Sequence, residues 1–171
     1  MVWVTRAAVL IAAGACWAAP GLAHEIKSGA LVLHHPWVHA AAKGAASTDG
    51  FLVIKNTGTT PDRLLGATIN GVGPAVVVQP GGAAGASGLC RLEQGIEIAP
   101  GATVVLKPGT AGLMFSDVSA SLREDTYADG TLMFAKAGHV KIEFFVQAAD
   151  SVTPSHSAQA GLAACGPTVT Q

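Results

Sequence analysis

Apolar residues along this chain recur at alternate positions or in short runs, and turn-forming residues separate the runs. The clearest example is segment 139–147, where apolar residues at 140, 142, 144 and 146 alternate with Lys, Glu and Phe at 141, 143 and 145. This two-residue period is that of an antiparallel β-strand with one buried face. The segment therefore predicts a half-buried strand.

Nine further segments have short apolar runs bounded by Gly, Pro or Asn, and Pro36 is expected to bend or end the first. In chain order, the ten predicted strands are Gly29–Val38, Gly50–Lys55, Arg63–Ile69, Ala75–Gln79, Gly88–Glu93, Gly95–Ala99, Thr103–Lys107, Ala111–Val118, Gly130–Ala135 and His139–Gln147. Short strands without crossover helices predict an all-β fold, an antiparallel Greek-key sandwich.

The two ends of the chain differ from this β-rich middle. Arg6 precedes an apolar run that is too short to span a bilayer, and small residues stand at Gly21 and Ala23. These features predict a signal peptide at 1–23 rather than an uncleaved anchor, a periplasmic location, and no membrane insertion after cleavage. We expect one domain at 24–149 and a flexible tail at 150–171, which is rich in Ser, Thr, Pro, Ala and Gly.

Composition and motifs exclude several classes of function. Only 12% of the residues are charged, the formal net charge is -1, and no Lys/Arg run could follow a phosphate backbone, so nucleic acid is not an expected partner. The sequence has no Gly-x-Ser-x-Gly elbow, no His-Glu-x-x-His motif and no phosphate-binding loop. We therefore do not expect an enzyme.

Five stretches carry a family resemblance that covers most of the chain from His35 to Val146. They are His35-Pro36-Trp37, Asn56-Thr57-Gly58, Pro61 to Ala67, Pro100 to Gly109 and Phe134 to Gly138. In order and spacing the chain resembles the periplasmic copper(I) chaperones of the PCu(A)C type.

The resemblance implies a cupredoxin-like sandwich that handles copper in support of cytochrome oxidase CuA assembly. The implied partners are a copper ion and either the CuA-bearing oxidase subunit or another copper chaperone. A metal-free binding or scaffold module that has kept the fold and lost the copper site is the alternative.

The family's ligand motif is a His, ten residues, a Met, twenty-one residues, and then His-x-Met. Here those positions hold Gln79, Cys90, Gly112 and Met114. Both imidazoles are absent, whereas the Cys90 thiolate would be a stronger Cu(I) ligand than the Met that it replaces. Cys90, Met114 and Gln79 are thus the candidate metal residues, with Cu(I) favoured over Cu(II). The competing interpretation is that Cys90 and Met114 are core hydrophobes and that no copper binds.

Restoring imidazoles with Gln79→His and Gly112→His is expected to strengthen Cu(I) binding, because each lost ligand weakens a metal site.

The histidines offer one further candidate. Cleavage after Ala23 makes His24 the first residue, and its amine and imidazole form a chelating pair suited to Cu(II). The simpler interpretation is an unanchored terminal residue. His35 is expected to have a packing or hydrogen-bonding role, and His139 to lie on the surface.

Two cysteines, Cys90 and Cys165, remain after the expected cleavage. An oxidising compartment favours a disulfide between them, which would close a loop of about 75 residues and withdraw Cys90 from copper. Without that bond, Cys90 is a free thiol available as a soft ligand. The sequence leaves both states open.

Overall fold

The computed structural model describes residues 25–81, 88–149 and Cys165. The predicted signal segment, His24 and the rest of the predicted tail lie outside the described residues. Within the described ranges the chain forms eleven strands. They are β1 Glu25–Ser28, β2 Leu31–His39, β3 Ser47–Asn56, β4 Asp62–Ile69, β5 Val72–Pro80, β6 Leu89–Arg91, β7 Ile96–Ile98, β8 Thr103–Leu106, β9 Gly112–Ser116, β10 Tyr127–Phe134 and β11 Gly138–Gln147.

The strands form a closed, sandwich-like barrel. The hydrogen-bonded order is β1-β2-β11-β10-β4-β5-β9-β3-β8, and a further pairing between β2 and β3 closes the path. The short strands β6 and β7 pair with β5 and β4. All pairings are antiparallel except that of β2 with β11, where Trp37 lies beside Phe145. The predicted all-β fold class is confirmed, with this parallel contact as an addition to the antiparallel prediction.

The hydrophobic core follows from the alternation seen in the sequence. Along β11, the side chains of Val140, Ile142, Phe144 and Val146 are buried, and the intervening positions are exposed or half-buried. The ring of Phe144 meets the ring of Phe115 from β9 edge to face, with 5.8 Å between centroids. Each fully buried large apolar side chain contributes about 1.5–3 kcal/mol, so these inward positions supply much of the stability.

Strand β2 departs from regular geometry at the predicted position. His35 has a φ of 48°, and the register between β2 and β3 shifts between His34 and Trp37. Pro36 therefore coincides with a bulge and does not end the strand, because pairing resumes at Trp37. Among the described residues there is no helix long and apolar enough to cross a membrane.

A buried carboxylate joins the start of β4 to the β10–β11 turn. Asp62 is 8% exposed and accepts hydrogen bonds from the backbone N–H groups of Arg63, Lys136 and Ala137 at 2.7, 2.8 and 2.9 Å. Three donors compensate the cost of burying this charge. The Pro-Asp-Arg stretch thus has a structural role.

Candidate metal site

Three neighbouring strands carry the four positions of the predicted ligand motif. On the β5–β6 hairpin, Gln79 lies directly opposite Cys90. On the other side of β5, Gly112 and Met114 of β9 lie opposite Val78 and Val76. The backbone therefore brings the four positions into one region of the barrel.

Strand alternation divides the same four positions into two pairs. Directly opposed residues share a face of a sheet, and successive residues along a strand point to opposite faces. Gln79 and Cys90 therefore share the face of β5 that Val77 occupies, whereas Gly112 and Met114 share the face of Val78. The structure brings Gln79 to Cys90, and it places Met114 on the other face.

The sulfur of Cys90 is bonded to that of Cys165. The S–S distance is 1.99 Å and the Cα atoms are 4.9 Å apart. The backbone N–H of Cys165 also donates a hydrogen bond of 2.9 Å to the carbonyl of Arg91. Of the two states that the sequence leaves open, this structure adopts the disulfide. In this oxidised form, Cys90 has no thiol to offer a metal ion.

Gly112 stands where the family motif has its second histidine, and its surroundings are crowded. A Cβ atom at this position would lie 2.9 Å from Cε1 of Phe51. The Phe51 ring is 5% exposed and packs against the ring of Trp37 at 4.6 Å between centroids. An imidazole at 112 therefore requires Phe51 to move.

Met114, the one motif residue that matches the family, is fully buried at 0% exposure. It lies on β9 between Asp49 of β3 and Val76 of β5. A thioether in this position packs as a hydrophobic side chain. Copper would reach it only after local opening of the barrel.

The structure describes three histidines that bear on the predictions. His139 is exposed at the start of β11, as predicted, whereas His35 is exposed at the bulge and is not packed in the core. His39 is buried, and its ring lies 5.1 Å from that of Trp37 and 5.8 Å from that of Phe51. His24 lies outside the described residues, so the proposed Cu(II) site at the N-terminus stays a prediction.

The side chains of the oxidised site do not fit the family's four-ligand copper centre. Neither imidazole is present, the thiol is in a disulfide, and Met114 points to the other face. Within 25–81, 88–149 and Cys165, no group of three or more His, Cys, Asp and Glu side chains could hold a metal ion.

The electrostatic setting adds little to metal binding. The carboxylate of Glu25 on β1 is hydrogen-bonded to Lys27, which lowers its pKa from the usual value. That pair is on the surface, and the two charged atoms are 3.0 Å apart. A surface pair of this kind has little effect on the fold or on a distant site.

The spacing of the family motif did not identify Cys165 as a site residue. It lies in a segment whose composition indicates no packing partner, far from the motif in sequence. The signal that pointed to it was the count of cysteines left after export. The structure places it directly against Cys90.

Comparisons with known proteins agree with this architecture. The family model described as "Putative lipoprotein LpqE-like" matches residues 31–146. The copper-bound PCuAC domain from PmoF2 is 28% identical, with a TM-score of 0.62, covering 74% of this chain and 99% of that domain. The apo PCuAC domain from PmoF1 is also 28% identical, with a TM-score of 0.61, covering 74% of this chain and 100% of that domain.

A more distant structure supports the fold alone. The Cu(I) form of DR1885 from Deinococcus radiodurans is 15% identical, with a TM-score of 0.55, and the match covers 74% of this chain and 83% of that one. No curated protein sequence matches the chain.

Proposed function

The chain belongs to the LpqE-like family and has the PCuAC-type fold, and on this basis we propose that it is an exported copper-handling protein that takes up Cu(I) in its reduced form. The observation that carries the proposal is the position of Cys90. It occupies the place of a methionine ligand in a domain whose 28% identical relatives include a copper-bound one. Copper is the cargo of such a protein, so only uptake and release are required of the site.

Altered metal binding is the second part of the proposal. A thiolate is a softer and stronger Cu(I) ligand than a thioether, but Gln79 offers only a neutral oxygen and Gly112 offers no ligand. The candidate residues are Cys90, with Gln79 opposite it and Met114 on the adjacent strand. Because two imidazoles are missing, we expect weaker Cu(I) binding than in a domain that has all four ligands.

The cellular setting follows from the family description and the sequence. The description of the family as lipoprotein-like supports export, and the predicted signal peptide at 1–23 supports a periplasmic location. By resemblance to the copper chaperones, the proposed acceptor is the CuA-bearing subunit of cytochrome oxidase or another copper chaperone. We propose no catalytic activity.

A Cu(I) titration tests the proposed function. The chain from residue 24 is reduced, freed of reductant without oxygen, and titrated against a chromogenic Cu(I) chelator. We expect one equivalent of Cu(I) to be withdrawn from the chelator by the wild type and none by Cys90→Ser. Met114→Leu measures the contribution of the thioether. The proposal would be contradicted if the reduced wild type did not compete with the chelator for Cu(I) while its circular dichroism spectrum showed folded β-structure.

The second candidate is a metal-free binding or scaffold module. The observations that favour it are the disulfide at Cys90 and the packing of Phe51 against Gly112, which together leave no family-type ligand set. If this candidate is right, neither the oxidised nor the reduced chain competes for copper. The titration therefore decides between the two functions.

A further inference from the structure

The disulfide joins the motif position Cys90 to Cys165, a residue outside the family motif. We propose that these two cysteines, once reduced, form a two-thiolate Cu(I) site, and that the disulfide is the closed state of this site. The inference rests on the proposed function, because it specifies which atoms hold the copper. In the candidate ligand set, Cys165 takes the place of Gln79 and Met114 as the partner of Cys90.

Contacts other than the S–S bond hold the two cysteines together. Cys90 is fixed by the β5–β6 pairing, in which it lies opposite Gln79. Cys165 is held by the hydrogen bond from its N–H to the carbonyl of Arg91, the residue next to Cys90. This bond resembles one rung of an added strand. Reduction of the disulfide therefore leaves the two thiols as neighbours.

The separation of the two residues suits two-coordinate metal binding. Their Cα atoms are 4.9 Å apart. A linear S–metal–S unit needs its sulfur atoms about 4.6 Å apart if the bond resembles the ~2.3 Å of zinc–thiolate bonds. Rotation about the Cα–Cβ bonds separates the sulfurs to that extent without a change in the backbone.

The ligand count selects the metal. Structural Zn²⁺ sites use four tetrahedral ligands, and the described residues contain no third His, Cys, Asp or Glu grouped with the two cysteines. Soft thiolates favour Cu(I), which is stable with two ligands. The neutral amide of Gln79 adds neither a charge nor a soft donor. The pair is therefore matched to Cu(I) and not to Zn²⁺.

Access to the pair is limited but not closed. Cys90 is 7% exposed, and Cys165 is half-buried. A surrounding of this kind slows exchange with solvent, while the half-buried Cys165 gives an incoming chelator or acceptor a point of contact. Met114, by contrast, is fully buried. Copper transfer is easier from the cysteine pair than from Met114.

The redox step is a thiol–disulfide exchange. A small dithiol donates two electrons and two protons to the Cys90–Cys165 bond, giving two protein thiols, and is itself oxidised to a cyclic disulfide. Cu(I) then displaces the two thiol protons as it binds both sulfurs. In the reverse exchange, a small disulfide accepts the two electrons of the thiolate pair and is reduced to thiols, the Cys90–Cys165 bond forms again, and the copper leaves as Cu(I). Copper loading is thus confined to reducing conditions.

The test compares four variants with the wild type, all starting at residue 24, reduced with dithiothreitol and freed of it without oxygen. They are Cys90→Ser, Cys165→Ser, Met114→Leu and Met133→Leu, the last as a control in β10. Affinity is measured against a chromogenic Cu(I) chelator, and circular dichroism confirms the fold. Because every chain is reduced, none of them has the Cys90–Cys165 disulfide, and differences in affinity do not come from loss of that bond.

We expect Cys90→Ser and Cys165→Ser each to weaken Cu(I) binding by about 100-fold or more, since loss of outer-shell partners alone costs about 10–100-fold. Met133→Leu should bind as the wild type does, Met114→Leu should lose less affinity than either cysteine variant, and X-ray absorption should show two sulfur neighbours around copper. An equal concentration of Zn²⁺ should not displace the Cu(I). The oxidised wild type should not compete with the chelator.

Three results overturn the inference in distinguishable ways. If Cys165→Ser binds as tightly as the wild type while Cys90→Ser does not bind, the copper function stands and the two-thiolate site is wrong. If the folded, reduced wild type does not bind, the proposed function fails together with the site. Tight binding by the oxidised wild type excludes the disulfide as a closed state.

Discussion

At the scale of single residues, the missing side chain of Gly112 lets the Phe51 ring pack directly against the β9 backbone. The point at which a Cβ would stand is only 2.9 Å from Cε1 of Phe51. Because Phe51 also stacks on Trp37, movement of the ring disturbs a second aromatic contact. The absence of the second motif histidine at position 112 is therefore linked to the packing of Phe51 against β9.

We expect Gly112→Ala to lower the free energy of unfolding by about 1–3 kcal/mol, the usual cost of overpacking. Gly88→Ala is the matched control, because no described residue lies within 4 Å of its Cβ position and its φ lies outside the left-handed region. Urea unfolding of both variants measures the difference. Equal stabilities would show that Phe51 moves without cost, and Gly112→His could then rebuild a ligand.

Asp62 is a second residue whose role is local and testable. Asp62→Ala leaves three backbone N–H groups, those of Arg63, Lys136 and Ala137, without their acceptor. We expect a loss of about 2–3 kcal/mol, since hydrogen bonds to charged groups are worth about 1.5–3 kcal/mol. Glu124→Gln, an exposed carboxylate, should change stability by less than about 0.5 kcal/mol. Thermal and urea unfolding would contradict this role if both variants matched the wild type.

At the scale of elements, the alternation along β11 makes adjacent phenylalanines unequal. Phe144 faces the core and is fully buried, whereas Phe145 faces outward beside Trp37 and is half-buried. We expect Phe144→Ala to cost about 3–5 kcal/mol, and Phe145→Ala to cost clearly less because it loses less buried area. Urea unfolding of the two neighbouring variants measures the contrast. A larger loss for Phe145→Ala would mean that the two faces have been assigned in reverse.

The sequence predicted most strands because each one carries its own local period. It missed β1, Glu25–Ser28, which is short and has no apolar alternation beyond Ile26. It also did not predict that β2 and β11 run parallel, with Trp37 beside Phe145. That pairing joins residues more than a hundred positions apart, and no local pattern encodes which distant strand becomes the neighbour.

At the scale of the whole molecule, motif spacing located the candidate site but not its geometry. It placed Gln79 and Cys90 together, as the β5–β6 pairing does. It could not show that Met114 lies on the opposite face of the sheet from Cys90, because the face on which a side chain lies depends on the register between β5 and β9. It left the partner of Cys90 undecided, since the composition around Cys165 gives no sign of docking. The ligand residues themselves stay a prediction until copper binding is measured.

The disulfide also connects distant parts of the chain, and its effect on stability is separable from its effect on copper. The two cysteines are 75 residues apart, and in the chain-entropy model a loop of that length is worth roughly 4 kcal/mol, less any strain. We therefore expect Cys90→Ser/Cys165→Ser to be about 2–4 kcal/mol less stable than the oxidised wild type, as measured by urea unfolding.

The reduced wild type is the matched control for this prediction, because it lacks the bond and keeps both thiol-bearing residues. It should unfold at the same urea concentration as the double variant in the absence of copper. One equivalent of Cu(I) should then stabilise the reduced wild type and leave the double variant unchanged, because a ligand that binds only the folded chain shifts its unfolding. Equal midpoints for the oxidised, reduced and doubly substituted chains would show that the bond adds no stability.

Thiol counting on the denatured, unreduced chain from residue 24 should find no free thiol, and two free thiols would rule out the bond itself.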